Sequence, residues 1–434
     1  MSGFRFVHAA DIHLDAPLAG LAGLEETVAR RIRTATREAF AALVDRSLEE
    51  RAAFLILAGD VFDDSDRDMR TAIFFADRMR RLASAGIRVF LLHGNHDAGS
   101  GITRHLPLPD NVRVFPADRA TTFRIEELAV ALHGRSYPKR EVREDLAAGY
   151  PDPVGDFFNI GVLHTALDGR EGHANYAPCS LEGLRAKGYD YWALGHVHGH
   201  EIVRRDPPIV FPGKLQGRHI RETGPGGAVL TEVADGTARE LVFLDLDVVR
   251  WSRIELDVGE LENIEEVQAA IGNAIGDAVD TEANGRFLIC RVVLVGRTLL
   301  HDALAVELPR LRENASLDAV AKGAQGAWVE RIELRTERPD RGRPDLGEDF
   351  DPLLDELVRL SGDPEFHREI LGKEEFGRFL ERLPAEVRQA PEDPILAALL
   401  EGDSDPLPLL EEARRQILGR IGRGTDARAD SRRR

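Results

Sequence analysis

The clearest pattern along the chain is a set of five short, mostly apolar runs, each of strand length and each ended by polar residues. Residues 54–58 are all apolar and are followed by Gly59 and Asp60. A continuous apolar run of this length is typical of a strand that is buried on both faces of a sheet. Four further runs end at polar groups in the same way, at residues 6–10, 89–93, 160–163 and 191–194.

The segments between the first three of these strands have helical periodicity. Apolar residues recur every three or four positions in residues 25–50 and 70–85, which predicts two amphipathic helices. Alternation of strand and helix predicts a parallel sheet with right-handed crossovers. Shorter patterns predict antiparallel strands at 112–115 and 121–125, a strand at 129–133, helices at 140–148 and 181–187, and a meander of strands at 202–203, 209–211, 228–230 and 241–246.

The hydrophobic period changes near Trp251, which indicates further domains. Residues 1–248 are predicted to form one layered α/β sandwich with helices outside two sheets. Residues 249–336 predict a small β-α-β-α-β domain, and a Pro- and Arg-rich linker follows. Residues 345–420 predict short helices broken by prolines, and residues 421–434 form a basic tail.

Composition and charge narrow the class of protein. The 434 residues are 43% hydrophobic and 30% charged, as in globular proteins, and neither a membrane span nor a signal peptide is expected. The two cysteines favour free thiols in a reducing cytoplasm over a disulfide. A net charge of −18 argues against wrapping of nucleic acid by bulk electrostatics. It does not exclude a nuclease, because residues 414–434 hold eight arginines and two aspartates.

The polar residues at the strand ends predict a metal site. They are Asp11, His13, Asp60, Asn95, His164, His196 and His198. Each motif by itself is also compatible with an ordinary turn or a buried histidine. Burying all of these groups together without a cation would cost several kcal/mol each. Because the set offers oxygen and nitrogen but no sulfur, it suits Mn²⁺, Fe²⁺, Zn²⁺ or Mg²⁺ and argues against a structural cysteine zinc site. We expect two divalent ions, with Mn²⁺ as the first candidate.

A dinuclear centre explains the spacing of these residues. Two ions about 3.5–4 Å apart can clamp the attacking and leaving oxygens of a phosphoryl transfer. Asp60, on the central strand, is the natural bridge between them. His96, next to Asn95, is then placed beside the phosphate as a proton donor to the leaving oxygen.

The motifs, in this order, resemble those of the calcineurin-like metallophosphoesterases. The resemblance implies a four-layer α/β/β/α sandwich over about the first 245 residues. It also implies two ligand sets and a catalytic role for His96. The first set is Asp11, His13, Asp60 and His198, and the second is Asp60, Asn95, His164 and His196.

Residues 6–18 and 212–224 are similar to the SbcD-type and YhaO-type DNA repair exonucleases of this family. That similarity implies a DNA substrate, a capping domain at 249–336 that binds DNA, and an SMC-like, ABC-type coiled-coil ATPase as partner of residues 345–420. A homodimer is also compatible with this branch. Candidate phosphate contacts are Arg135, Lys139, Arg140, Arg218, His219 and Arg221. The alternatives are a phosphatase or phosphodiesterase for a small nucleotide or phosphoprotein, and a non-enzymic scaffold.

Overall fold

The computed structural model describes residues 3–16, 26–63, 69–99, 108–169, 176–321 and 326–339, and the single residues 356, 359, 363 and 378. The strands are β1 (Phe4–Ala9), β2 (Phe54–Ala58), β3 (Arg88–Leu92), β4 (Val112–Val114), β5 (Thr121–Ile125), β6 (Val130–Gly134), β7 (Phe158–His164), β8 (Tyr191–Gly195), β9 (Glu201–Arg205), β10 (Pro208–Phe211), β11 (Gly227–Ala234), β12 (Thr237–Asp245), β13 (Val249–Asp257), β14 (Phe287–Arg297) and β15 (Ala327–Glu337). The helices are α1 (Glu26–Glu49), α2 (Met69–Ser84), α3 (Asn95–Gly99), α4 (Leu181–Ala186), α5 (Ile264–Thr281) and α6 (His301–Ala321).

The first sheet has the strand order β12-β11-β1-β2-β3-β4. Strands β1 to β4 run parallel, and β11 pairs antiparallel with both β1 and β12. Helix α1 connects β1 to β2, and α2 connects β2 to β3, as strand–helix–strand alternation requires. The carboxyl ends of β1, β2 and β3 therefore meet at one edge of the sheet.

The second sheet has the order β5-β6-β7-β8-β10-β9. Its four inner strands run parallel, and β5 and β9 are antiparallel edge strands. Because β7 and β8 are parallel neighbours, with His164 paired with Gly195 in register, their carboxyl ends also lie together.

Three apolar clusters give the layers of the sandwich. One cluster lies between the first sheet and helices α1 and α2, and a second lies between the two sheets. In the second, the ring of Phe6 stacks on Phe54 at 5.0 Å and meets Tyr191 of the other sheet edge-on at 5.1 Å. The third cluster covers the outer face of the second sheet and includes Leu184 of α4. The predicted α/β fold with helices outside two sheets is confirmed.

Three local predictions are wrong. Strand β4 pairs parallel with β3, not antiparallel. The predicted meander is divided, because β9 and β10 join the second sheet whereas β11 and β12 join the first. Residues 140–148 form no α-helix; the structure has only a single 3₁₀ turn, Ala147–Gly149, at the end of this segment, where Asp145 accepts hydrogen bonds from the backbone N–H groups of Ala147 and Ala148. The buried Val142 and Leu146 produced a helical spacing in an irregular segment.

The described residues divide into two compact units. The first lies within Met1–Arg253, Asp277–Cys290 and Lys322–Glu330, and the second within Ile254–Gly276, Arg291–Ala321 and Arg331–Arg434. Strands β13, β14 and β15 form a three-stranded sheet in that order, and α5 and α6 connect them, as the change of period predicted.

The predicted boundaries near 248 and 336 stay predictions. The predicted segments 345–420 and 421–434 lie outside the described residues, apart from four isolated positions. Cys179 and Cys290 are both buried free thiols, as expected. Among the helices that the structure describes, none has the length and apolarity to cross a membrane.

Candidate metal centre

The loops after β1 and β2 are joined by backbone hydrogen bonds that bring their polar residues together. The N–H of Asp11 donates to the carbonyl of Gly59 at 3.0 Å, and the N–H of His13 donates to the carbonyl of Asp60 at 3.0 Å. Asp11, His13 and Asp60 have φ values of 49°, 45° and 52°, in the left-handed region that non-glycine residues seldom adopt. Such strained positions are commonly found at functional sites.

Two glycines allow these loops to approach each other closely. A Cβ atom on Gly94 would lie 2.3 Å from Oδ1 of Asp60, and one on Gly195 would lie 2.1 Å from the carbonyl oxygen of Ala58. Neither contact is possible for a larger residue without displacement of the backbone. The close packing of the strand ends therefore depends on glycine at both positions.

The first group of candidate ligands is Asp11, His13 and His198, whose ligand atoms lie within 4.8 Å of one another. Nε2 of His198 is 3.8 Å from Oδ1 of Asp11. The backbone N–H of His196 donates to both carboxylate oxygens of Asp11, at 3.1 and 3.0 Å, which fixes that carboxylate. Asp60 lies nearby, with Oδ2 3.9 Å from Nε2 of His13.

The second group is Asp60, His164 and His196, and Asn95 adjoins it. Nε2 of His164 is 3.3 Å from Oδ2 of Asp60 and 3.0 Å from Oδ1 of Asn95. Nδ1 of His164 donates to the carbonyl of Ala58 at 2.9 Å, so the ring is held with Nε2 towards the carboxylate. Asp60 is thus in contact with both groups, in the position expected for a bridging ligand.

His13 tests whether a metal ion fits this site. Among the described residues, neither Nδ1 nor Nε2 of His13 has a hydrogen-bond partner, although both atoms are buried. Buried polar atoms in folded proteins nearly always have a partner, so the bonding of this ring is incomplete as it stands. The surrounding donors are carboxylate, amide and imidazole, which suits a divalent cation. The residues therefore fit a metal ion.

The electrostatics of the site agree with that fit. Although burial works against the charged form, the contact with His164 and the nearby histidines lower the pKa of Asp60 well below its usual range. Burial also lowers the pKa of His164, but the Asp60 carboxylate outweighs it and raises that pKa to about 9.

His96 lies at the edge of the two groups. Its backbone N–H donates to Oδ1 of Asp60 at 2.9 Å, and its side chain is 27% exposed. Nδ1 is 3.0 Å from Oδ1 of Asp63, which orients the ring. His96 also forms a possible ligand group with His13 and Asp60. The geometry is thus compatible with a proton donor and with a ligand, and the donor role stays a prediction.

The candidate phosphate contacts fall into two places. Arg218 and His219 adjoin Glu222: Nη2 of Arg218 donates to Oε1 of Glu222 at 3.0 Å, and Nε2 of His219 is 3.5 Å from the same oxygen. Arg221, in the same loop, is exposed. The guanidinium of Arg135 instead donates through Nε to the carbonyl of Ala117 at 3.0 Å. The predicted roles of these residues in binding substrate stay predictions.

Sequence reasoning assigned no role to three acidic residues that support the site. Asp63 orients His96. Asp97 accepts from the N–H groups of Phe62 at 2.8 Å and Gly94 at 2.9 Å and so ties two of the loops together. Glu222 contacts His198, with Oε1 2.7 Å from Nδ1. All three lie within or beside the motifs that the sequence analysis used. An acidic residue next to a predicted ligand was therefore the only feature of the sequence that could have pointed to them.

Comparisons with known proteins agree with this geometry. Residues 4–200 match the family described as calcineurin-like phosphoesterase, and residues 251–337 match the middle domain of metallophosphoesterase YhaO. The uncharacterized metallophosphoesterase YhaO of Bacillus subtilis strain 168 is 34% identical over 61% of this chain and 65% of its own length. The DNA double-strand break repair protein Mre11 of Methanopyrus kandleri is 28% identical over 59% of each chain. Each match thus spans less than two thirds of the relative.

A comparison of folds gives a more distant similarity. The crystal structure of TT1561 of Thermus thermophilus aligns with 56% of this chain and all of its own, at a TM-score of 0.33 and 14% identity.

Proposed function

We propose that the protein is a metal-dependent phosphodiesterase that hydrolyses DNA from its ends, with endonuclease action on single strands as a second activity. The proposal starts from the match of residues 4–200 to the calcineurin-like phosphoesterase family. The observation that carries the proposal is the meeting of five strand ends around Asp60, whose carboxylate lies 3.9 Å from His13 of the first group and 3.3 Å from His164 of the second. The buried ring of His13, which has no hydrogen-bond partner among the described residues, also supports a cation at this site.

The ligands would be divided between two divalent ions, for which Mn²⁺ is our first choice. Asp11, His13 and His198 would hold the first ion and Asn95, His164 and His196 the second, with Asp60 between them. When bound, such a pair of ions polarises the phosphoryl group and makes water a stronger nucleophile at neutral pH.

The side chains of the protein would supply the remaining steps. His96, held by Asp63, would donate a proton from Nε2 to the leaving 3′ or 5′ oxygen, because its Nδ1 faces the carboxylate. Arg218 and His219 lie beside Glu222, which itself contacts the ligand His198, so the guanidinium of Arg218 and a ring N–H of His219 would bind the phosphate next to the reacting one.

A DNA substrate is supported by the names of relatives, since several curated matches are DNA double-strand break repair proteins. The corresponding test incubates the full chain and Mn²⁺ with end-labelled single-stranded and double-stranded DNA, and in parallel with a phosphomonoester. The Asp60→Asn variant, purified in the same way, controls for contaminating nuclease. Hydrolysis of the monoester alone would favour the phosphatase alternative, and equal DNA cleavage by the variant would reject the assignment.

We also propose that residues 345–420 bind a coiled-coil ATPase of the SMC type, that the capping domain at 249–336 contacts DNA, and that the protein acts in the cytoplasm, where that DNA is found. The proposal of a partner rests on the apolar and proline pattern of the sequence.

Deletion after Arg338, followed by a nuclease assay and a pull-down with the ATPase, tests the proposed partner. A truncated protein that still binds the ATPase would contradict the proposal. Sedimentation of the full chain would show whether it forms a homodimer.

A further inference from the structure

Glu222 is a buried acid in the loop between β10 and β11 that directly contacts a candidate metal ligand. It is 5% exposed. Its Oε1 accepts from Nδ1 of His198 at 2.7 Å and from Nη2 of Arg218 at 3.0 Å, and its Oε2 accepts from the backbone N–H of Arg218 at 2.7 Å. Both carboxylate oxygens are therefore engaged.

The loop that carries Glu222 is itself fixed to the end of β8. The N–H of Lys214 donates to the carbonyl of His198 at 2.9 Å. The ammonium group of Lys214 donates to the carbonyls of Thr223 at 2.8 Å and Pro225 at 3.2 Å, on either side of the turn that follows Glu222. The position of the carboxylate is therefore set by a braced backbone as well as by the side-chain rotamer.

The hydrogen bond to Glu222 determines which nitrogen of His198 is available to a cation. In a neutral imidazole, a proton on Nδ1 leaves the lone pair on Nε2. Nε2 of His198 is the atom that lies 3.8 Å from Oδ1 of Asp11, within the first ligand group. A carboxylate that accepts from the other ring nitrogen of a metal-binding histidine orients the ring and increases its basicity.

We propose that Glu222 is a positioning residue for the first ion: it holds His198 in the tautomer and orientation that direct Nε2 towards Asp11. The inference rests on the proposed metal centre. It adds that the affinity for the first ion depends on the loop between β10 and β11, which carries Glu222.

His198 in the first group and His164 in the second are held by different kinds of partner, and this difference makes the proposal selective. His164, in the second group, donates from Nδ1 to the backbone carbonyl of Ala58 at 2.9 Å. A substitution at residue 58 leaves that backbone carbonyl in place, whereas the orientation of His198 depends on the side chain of Glu222. Loss of the Glu222 carboxylate should therefore affect the first ion and spare the second.

The experiment measures Mn²⁺ binding to the metal-free full chain by titration calorimetry, with electron paramagnetic resonance to count bound ions. For Glu222→Ala we expect one of the two Mn²⁺ sites to weaken by about 10–100-fold, the usual effect of losing such an outer partner, while the other keeps its affinity. Glu222→Gln retains an oxygen that can accept from His198, so it should weaken the same site by less. Glu232→Ala, which removes a surface carboxylate that pairs with Arg5, is the matched control and should leave both sites unchanged.

The outcomes separate this inference from the proposed function. If the wild-type chain binds no pair of Mn²⁺ ions, the metal centre itself is wrong. If the wild type binds two ions and Glu222→Ala binds them equally well, the metal centre stands and the role of Glu222 is refuted. Equal weakening of both sites, in Glu222→Ala or in Glu222→Gln, would show a general structural role and also overturn the proposal. If Glu222→Ala does not fold, the Glu222→Gln titration decides.

Discussion

His8 gives a quantitative prediction about stability and pH. It lies on β1 and is fully buried beneath the second sheet. Its Nε2 donates to the carbonyl of Leu194 at 3.1 Å, and the hydroxyl of Tyr191 lies 3.3 Å from its Nδ1. Burial lowers the pKa of His8 from 6.5 to about 3, so the ring is neutral in the folded protein at every ordinary pH.

The free energy of unfolding depends on pH because the folded and unfolded chains bind a different number of protons at His8. Between pH 6.5 and 3 the unfolded chain takes up a proton at His8 that the folded chain does not bind, so stability is highest above pH 6.5 and falls as the pH decreases. With the pKa lowered from 6.5 to about 3, this one residue should reduce the free energy of unfolding by about 2 kcal/mol between pH 7 and pH 5.

The assay compares urea unfolding of the wild type and His8→Leu at pH 7 and pH 5, followed by tryptophan fluorescence in the presence of a chelator. The variant should be less stable at pH 7, since the carbonyl of Leu194 loses its donor, at a cost of about 1–3 kcal/mol. It should also lose about 2 kcal/mol less than the wild type on acidification. Tyr191→Phe removes a hydrogen bond without removing a titrating group in this range, so it should keep the wild-type pH dependence. Identical pH dependence in the wild type and His8→Leu would refute the assignment of a buried, neutral His8.

Three further predictions concern the metal centre. Asp60→Asn should abolish phosphodiesterase activity and weaken both ions together, because its carboxylate contacts both ligand groups; metal analysis that finds two ions bound and normal turnover would contradict it. His96→Ala should keep both ions while the rate of hydrolysis falls by about 10²–10⁴-fold, as for loss of a general acid; loss of one ion equivalent would instead make His96 a ligand. Gly195→Ala should lower the unfolding free energy by about 1–3 kcal/mol, as is typical of overpacking, because its methyl group would meet the Ala58 carbonyl at 2.1 Å; an unchanged melting temperature would contradict this.

Some acidic residues of the site could be predicted from the sequence, and others could not. Asp11 and Asp60 could be predicted as site residues because each stands just after the end of an apolar run, and the end of a buried strand is a defined place in a sheet. Glu222 follows no such run and reaches His198 only because its loop folds back on the end of β8. A contact between residues 24 positions apart, made through an irregular loop, has no periodic signal.

The segment 140–148 shows the same limit for secondary structure. Val142 and Leu146 are buried at helical spacing, yet they pack against the second sheet from an irregular segment. In a short segment, two apolar residues four positions apart are found both in an amphipathic helix and in an irregular segment that packs on a sheet, so the spacing alone does not distinguish them. Strand β4 likewise carries no mark of its direction, since only its neighbour β3 sets whether it runs parallel.

The sequence by itself determined where the strands that lead to the site lie, because short apolar runs bounded by polar residues are typical of buried strands. It also determined which polar groups stand at their ends. Only the tertiary structure decided how the two sheets face each other, which brings Asp60 within 3.3 Å of His164 across 104 residues of chain. It also decided which acids orient the histidines, because hydrogen bonds between loops depend on distances that no local pattern encodes.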